Sequence, residues 1–168
     1  MSKFPAGISP LIIAFFIICV GKPVFCAQEL PAEIKEQAQI YRQEGYKLQK
    51  DGDLQWAFSC YQKATLVDPD YAVAYNDMGV ILESAGELNA AKEMYLKATV
   101  ANTDYPNSYS NLALLYEKQK DYANAVLCWI RRAILGEESD PWAKAARKRL
   151  EDIARIYPQA FSKIGENR

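Results

Sequence analysis

The stretch Ala72–Tyr105 reads AVAYNDMGVILESAGELNAAKEMYLKATVANTDY and decides the fold. Two apolar runs flank a break at Ala85-Gly86-Glu87. The first carries Tyr75, Met78, Gly79 and Leu82, and the second Leu88, Ala91, Tyr95 and Ala98. Steps of three and four follow one face of a helix. The stretch therefore predicts a helix, a turn at Gly86 and a second helix.

The same marks recur on both sides at one constant shift. Tyr41, Tyr75 and Tyr109 align, as do Gly45, Gly79 and Ala113. Ala57, Ala91 and Ala125 align, and so do Tyr61, Tyr95 and Trp129. A period of about 34 residues built from helix pairs marks a solenoid whose units stabilise one another. Glycine inside a helix costs about 1 kcal/mol against alanine. Repeated small residues there predict that helices approach too closely for a side chain. The large aromatics then fill the space between helices.

These residues resemble the tetratricopeptide repeat. The middle unit supplies Tyr75, Met78, Gly79, Leu82, Ala91, Tyr95 and Ala98. The first, 38–71, supplies Tyr41, Gly45, Leu48, Ala57, Tyr61, Ala64 and Pro69. The third, 106–139, supplies Tyr109, Leu112, Ala113, Tyr116, Ala125 and Trp129. The resemblance implies an all-α solenoid of three helix-turn-helix units, of an exported bacterial type. Arg132 departs from the pattern, standing where the family has a small residue. The second helix of unit three is therefore expected to rotate or to end differently. The third unit also reaches proline only at Pro141.

Helices are predicted near 31–50, 54–67, 72–84, 88–101, 106–119, 122–135 and 141–156. The last carries Trp142, Ala146, Leu150, Ile153 and Tyr157 on one face, as a solenoid cap requires. Asp140 and Pro141 suit its start. The repeat domain thus spans 28–157 with a capping helix over 141–157. The tail, 158–168, is expected to be loosely ordered.

The stretch 1–27 is of another kind. Lys3 precedes an apolar run from Ile8 to Val20, followed by Gly21-Lys22-Pro23 and Val24-Phe25-Cys26-Ala27. This order describes a secretory leader, with cleavage after Cys26 or Ala27 and a periplasmic or secreted product. The alternative is an uncleaved membrane anchor, because Lys22 barely interrupts the apolar stretch. Lipidation at Cys19 or Cys26 has less support, since neither follows a small residue.

The chain has 168 residues, a net charge of −1 and no histidine. That composition gives no dedicated nucleic-acid surface. It also excludes histidine bases, Ser-His-Asp arrangements and histidine metal ligands. There is no phosphate loop and no paired CxxC. Hence no catalytic residue, cofactor or metal site is expected. Cys60 and Cys128 occupy the same place in units one and three, too far apart for a disulfide, and read as small buried hydrophobes. Lys144 and Arg147-Lys148-Arg149 read as the solvated face of the capping helix, with Glu151 and Asp152 close behind. Asp68, Asp70 and Asp104 read as turn residues, and Trp56 and Trp142 as packing residues, with partial exposure of either as the alternative.

The function expected is protein–protein interaction, as a scaffold, adaptor or assembly factor. Self-association as a homo-oligomer is the alternative class. The resemblance implies a groove lined by the first helix of each unit, taking an extended peptide or a partner helix. Transferring its register gives Gln39, Arg42, Gln43 and Tyr46 from unit one. Unit two gives Val73, Asn76, Asp77 and Val80, and unit three gives Asn107, Ser110, Asn111 and Leu114. Arg42 is the only cation in this set, and Asp77 would repel an acidic chain end. The expected ligand is an internal, neutral or basic segment anchored on Tyr46.

Overall fold

The computed structural model describes residues 31–166. The leader expected over 1–27, with Cys19 and Cys26, lies outside the described residues. The described residues form eight helices and no strand: α1 Ala32–Asp51, α2 Leu54–Val67, α3 Ala72–Ser84, α4 Leu88–Ala101, α5 Pro106–Lys118, α6 Tyr122–Leu135, α7 Pro141–Ile156 and α8 Gln159–Glu166. α1 with α2, α3 with α4 and α5 with α6 form three antiparallel pairs. Each pair packs on the next through α2–α3 and α4–α5.

The turn inside each pair is built the same way three times. Gly52 (φ 91°), Gly86 (φ 82°) and Lys120 (φ 61°) take the left-handed conformation. The residue after each donates its N–H back to the last turn of the first helix: Asp53 to Leu48 O (2.9 Å), Glu87 to Leu82 O (2.9 Å) and Asp121 to Tyr116 O (2.8 Å). This closes the exposed carbonyls of the helix end. Glycine adopts that backbone freely, whereas Lys120 carries its strain. Between units, Asp68 accepts from the N–H of Asp70 (3.0 Å) and Asn102 from that of Asp104 (2.8 Å). The Asp68 carboxylate thus serves its turn as the sequence context suggests, while Asp70 and Asp104 contribute their backbone N–H groups.

The repeated aromatics are the core. Tyr61, Tyr95 and Trp129 are buried, together with Ala57, Ala91 and Ala125. A Cβ added at Gly45 would lie 2.7 Å from the Tyr61 ring, and one at Gly79 would lie 2.5 Å from that of Tyr95. The glycines are thus required by close approach, not by an unusual backbone. Each aromatic also reaches back to the first helix of its own pair. The Tyr61 hydroxyl donates to Gln49 Oε1 (2.7 Å), the Tyr95 hydroxyl to Glu83 Oε2 (3.0 Å) and the Trp129 indole N–H to Glu117 Oε1 (2.6 Å). Gln49, Glu83 and Glu117 are separated by one full repeat each, so the acceptor recurs with the aromatic.

Three expectations change. The tail is not loosely ordered over its first part: α8 forms, Ala160 is buried, and Phe161 packs on the core. α7 and α8 together make a shortened fourth pair, both contacting α6. Tyr122 and Tyr157 stack at 3.8 Å across this junction. Next, α6 does not rotate out of register and stops at Leu135, in line with Val67 and Ala101, but its end does differ: the backbone N–H groups of Asp68 and Asn102 donate to Ala64 O and Ala98 O, whereas Gly136 makes no such bond. Arg132 instead turns inward, is buried, and bonds Asp140 Oδ2 at 2.6 Å. Asp140 also caps α7 by accepting from the Trp142 N–H at 2.9 Å. The Arg132 hydrogen bond, with help from the backbone N–H groups of α7, holds the Asp140 carboxyl below its usual range. Its contribution is therefore present above the unfolded carboxyl range and lost as pH falls through the lower folded value. Finally, Trp56 and Trp142 are not packing residues; both are largely exposed. Cys60 and Cys128 are buried and free, and burial pushes the Cys128 thiol up to about 12.

Leucine at Gly79 would have to displace a fully buried tyrosine ring. Gly79→Leu is expected to lower stability by about 1–3 kcal/mol, the scale of overpacking, in equilibrium denaturation followed by far-UV circular dichroism. An unchanged midpoint would contradict the close approach.

Candidate functional site

α1, α3 and α5 form one layer of the molecule, and their shared face carries the register positions transferred from the repeat. Two hydrogen bonds with the same offset tie this layer together. Arg42 Nε donates to Asp77 Oδ2 at 2.8 Å, and Asn111 Nδ2 donates to Asn76 Oδ1 at 2.9 Å. Each joins one unit to the next.

The structure sorts the twelve positions into floor and surface. Asn76 and Ser110 are buried, the first bonded to Asn111 and the second to the Pro106 carbonyl. They build the floor and offer little to a ligand. Arg42 and Asp77 are partly buried and spent on each other. Gln39, Gln43 and Asn107 are exposed, and Val73 and Asn111 are half-buried. Tyr46 (45% exposed), Val80 (36%) and Leu114 (49%) remain as accessible apolar side chains. They hold the same place in successive units, one per unit, and so form a row along the face.

The electrostatics of the face are largely self-compensated. Burial lifts the Asp77 carboxyl above its usual range despite the bonded guanidinium. Arg42 shows the opposite balance: burial alone would lower it, and the Asp77 bond raises it. Asp77 is the more deeply buried partner, at 14% against 29% exposure, so its desolvation sets the sign and the pair adds little net stability. Arg42 and Lys50 flank the Tyr46 ring at 5.2 and 4.7 Å from its centroid. At the far end Lys118 lies 3.7 Å from Glu83, and Arg149 grips both oxygens of Glu117. The face there runs into a hollow of about 420 Å³ between α5, the start of α6 and α7, bordered by Leu114, Lys118, Ile156 and Tyr157. The sequence reading stopped at Leu114; the exposed Ile156 of α7 extends the apolar surface beyond it.

Comparison with solved structures fits this geometry. The first TPR of Spaghetti (RPAP3), bound to HSP90 peptide SRMEEVD, is 20% identical, with a TM-score of 0.63 over 73% of this chain and 96% of that one. The fold is that of a tetratricopeptide-repeat domain. The N-terminal domain of stress-induced protein-1 (STI-1) from C. elegans is 21% identical, with a TM-score of 0.59 over 73% of this chain and 99% of that one. The type III secretion translocator chaperone SycD of Yersinia enterocolitica is 15% identical, with a TM-score of 0.60 over 70% of this chain and 90% of that one. At these identities the likeness to TPR domains is one of fold. A family profile described as the Est1 DNA/RNA binding domain matches residues 57–127, less than half of the chain. No curated protein sequence matches.

The raised Asp77 carboxyl has a sign that can be checked. Its burial penalty is fully present above the folded value and disappears as pH falls below the unfolded one. Asp77→Asn keeps an acceptor for Arg42 and removes the buried charge. The variant is expected to be at least as stable as the parent at neutral pH, and to lose the parent's gain in relative stability on acidification, in thermal unfolding across a pH series. A large loss at neutral pH would show that the ion pair, not packing, holds α1 to α3.

Proposed function

We propose that the chain is a non-enzymatic protein-interaction scaffold that holds an apolar, near-neutral segment of a partner protein along α1, α3 and α5. The observation that carries this reading is the exposed row Tyr46–Val80–Leu114, one side chain per unit, on a face where Arg42 is already bonded to Asp77. Apolar anchors set in a polar surround are the usual makings of a recognition groove. Gln39, Gln43 and Asn107 beside the row have donors and acceptors for a peptide backbone. A TPR domain of the same fold is described with an HSP90 peptide bound, and that peptide is acidic. The present face has no free cluster of cations to match such a ligand, since Arg42 is bonded to Asp77. A net charge of −1 likewise favours a protein segment over nucleic acid.

The compartment proposed is extracytoplasmic, on the strength of the leader-like stretch 1–27. Scaffolding in assembly of an envelope complex suits that setting. If the leader stays in place, the same groove belongs to a membrane-anchored assembly factor.

One experiment tests groove and compartment together. A tagged chain is recovered from the exported fraction with whatever it has captured, and its mass is read. The mature chain is expected to begin at Ala27 or Gln28. Tyr46→Ala and Leu114→Ala are each expected to weaken capture about tenfold, equivalent to about 1.4 kcal/mol, with little change in melting temperature. Capture unchanged in both variants would overturn the groove. An intact N-terminus held in a membrane pellet would overturn export.

A further inference from the structure

The opposite layer of the molecule, formed by α2, α4 and α6, carries a second surface. α6 is apolar on two sides. One side enters the core through Val126 and Trp129. The other presents Ala123, Leu127, Ile130 and Ile134, with Ile134 67% exposed. The steps between these four are 4, 3 and 4, the spacing of a helix–helix packing seam. On the neighbouring α4, Leu96 and Val100 lie exposed, Val100 to 82%. A groove of about 240 Å³ between the two helices is walled by Leu96, Tyr109, Tyr116 and Leu127.

The repeat does not require an aliphatic at Leu127 or at Ile130. At the positions of Leu127 and Ile130, unit one has Ser59 and Gln62. Unit one also has Gln62 where α4 has Leu96. Among the large side chains only these two positions change from polar to aliphatic along the solenoid, for Ile134 and Val100 stand where unit one has the exposed Leu66, and unit two has Glu93 at the position of Leu127. A helix that is apolar on both its core and its outer side has a partner on each.

We infer that the outer face of α6, flanked by Leu96 and Val100 of α4, is the interface of a weak homodimer. A second copy suits the seam for three reasons. Two α6 helices crossing antiparallel about a two-fold axis bring Ile130 against its counterpart, and Leu127 against Ile134 of the other copy. Their helix dipoles then oppose favourably. The one cation at the centre of the seam, Arg131, is bonded to Asp104 at 3.0 Å and to the Thr103 carbonyl at 3.1 Å, so each copy carries its own counter-charge and the axis brings no bare charges together. The five exposed aliphatics supply roughly half of the ~800 Å² per partner of a standard interface, and Asn124, Arg131 and the groove walls complete the rim. This surface lies on the layer opposite Tyr46, so it does not depend on the groove.

Sedimentation equilibrium of the full chain is expected to show a concentration-dependent monomer–dimer equilibrium. Ile130→Glu and, separately, Leu127→Lys are expected to leave a monomer with an unchanged circular dichroism melt, because both positions are exposed. Tyr46→Ala is expected to leave the dimer intact. A wild-type chain that stays monomeric at high concentration overturns the inference, including the case in which Ile130→Glu blocks capture of a different protein. Association that survives Ile130→Glu and Leu127→Lys, or that is lost in Tyr46→Ala, overturns it too.

Discussion

The contact between an aromatic ring on the second helix of each pair and a small residue on the first is the constraint on which the rest of this structure depends. Tyr61 over Gly45 and Tyr95 over Gly79 bring two backbones within the thickness of one ring. In the third pair a larger indole, Trp129, shares the buried core with Ala113. The polar tip of each ring is then satisfied by Gln49, Glu83 or Glu117. A buried hydroxyl or indole N–H without such a partner would cost about 1–3 kcal/mol. Packing and polar satisfaction are thus solved by the same pair of positions, three times over.

That solution shapes what the surfaces can do. Because the rings occupy the space inside each pair, the outward side chains of α1, α3 and α5 are free of core duties. They divide into a bonded floor and an accessible apolar row. The acceptors also reach sideways: Glu83 faces Lys118 of the next unit, and Glu117 holds Arg149 of the cap. Near the row, Arg42 with Asp77 and Lys118 with Glu83 are consumed in joining units, while Lys50 keeps its charge beside Tyr46. The cap is joined by a different device, the buried Arg132 bonded to Asp140. Two guanidinium nitrogens of Arg132 have no partner, so this joint is costlier than the alanine contacts it replaces at Ala64 and Ala98.

Much of this was legible in the sequence, and for a physical reason. Three copies of one helix pair in unbroken register repeat every packing requirement, so chance coincidences cancel. The seven longer helices and the buried aromatics follow from that. The acceptors Gln49, Glu83 and Glu117 were equally periodic, but polar residues on a helix read as solvated until an aromatic is seen above them. α8 escaped because it is short and lacks the repeat's marks: Gln159 and Lys163 stand where the fourth alanine and the fourth aromatic would be. The sense of Arg132 escaped because its partner, Asp140, already had a sufficient local role as a helix cap. The groove positions were placed by register alone, which cannot tell Asn76 and Ser110 in the floor from Tyr46 and Leu114 on the surface.

A double-mutant cycle on Gly79 and Tyr95 tests the aromatic contact most directly. Gly79→Ala is measured by equilibrium denaturation in the parent and in a Tyr95→Leu background. If the ring is what excludes a Cβ, alanine should destabilise the parent. It should then become neutral or favourable beside leucine, where its helix propensity is worth about 0.5–1 kcal/mol. An equal cost in both backgrounds would contradict the account, for it would mean that Gly79 is needed for some reason other than the ring above it.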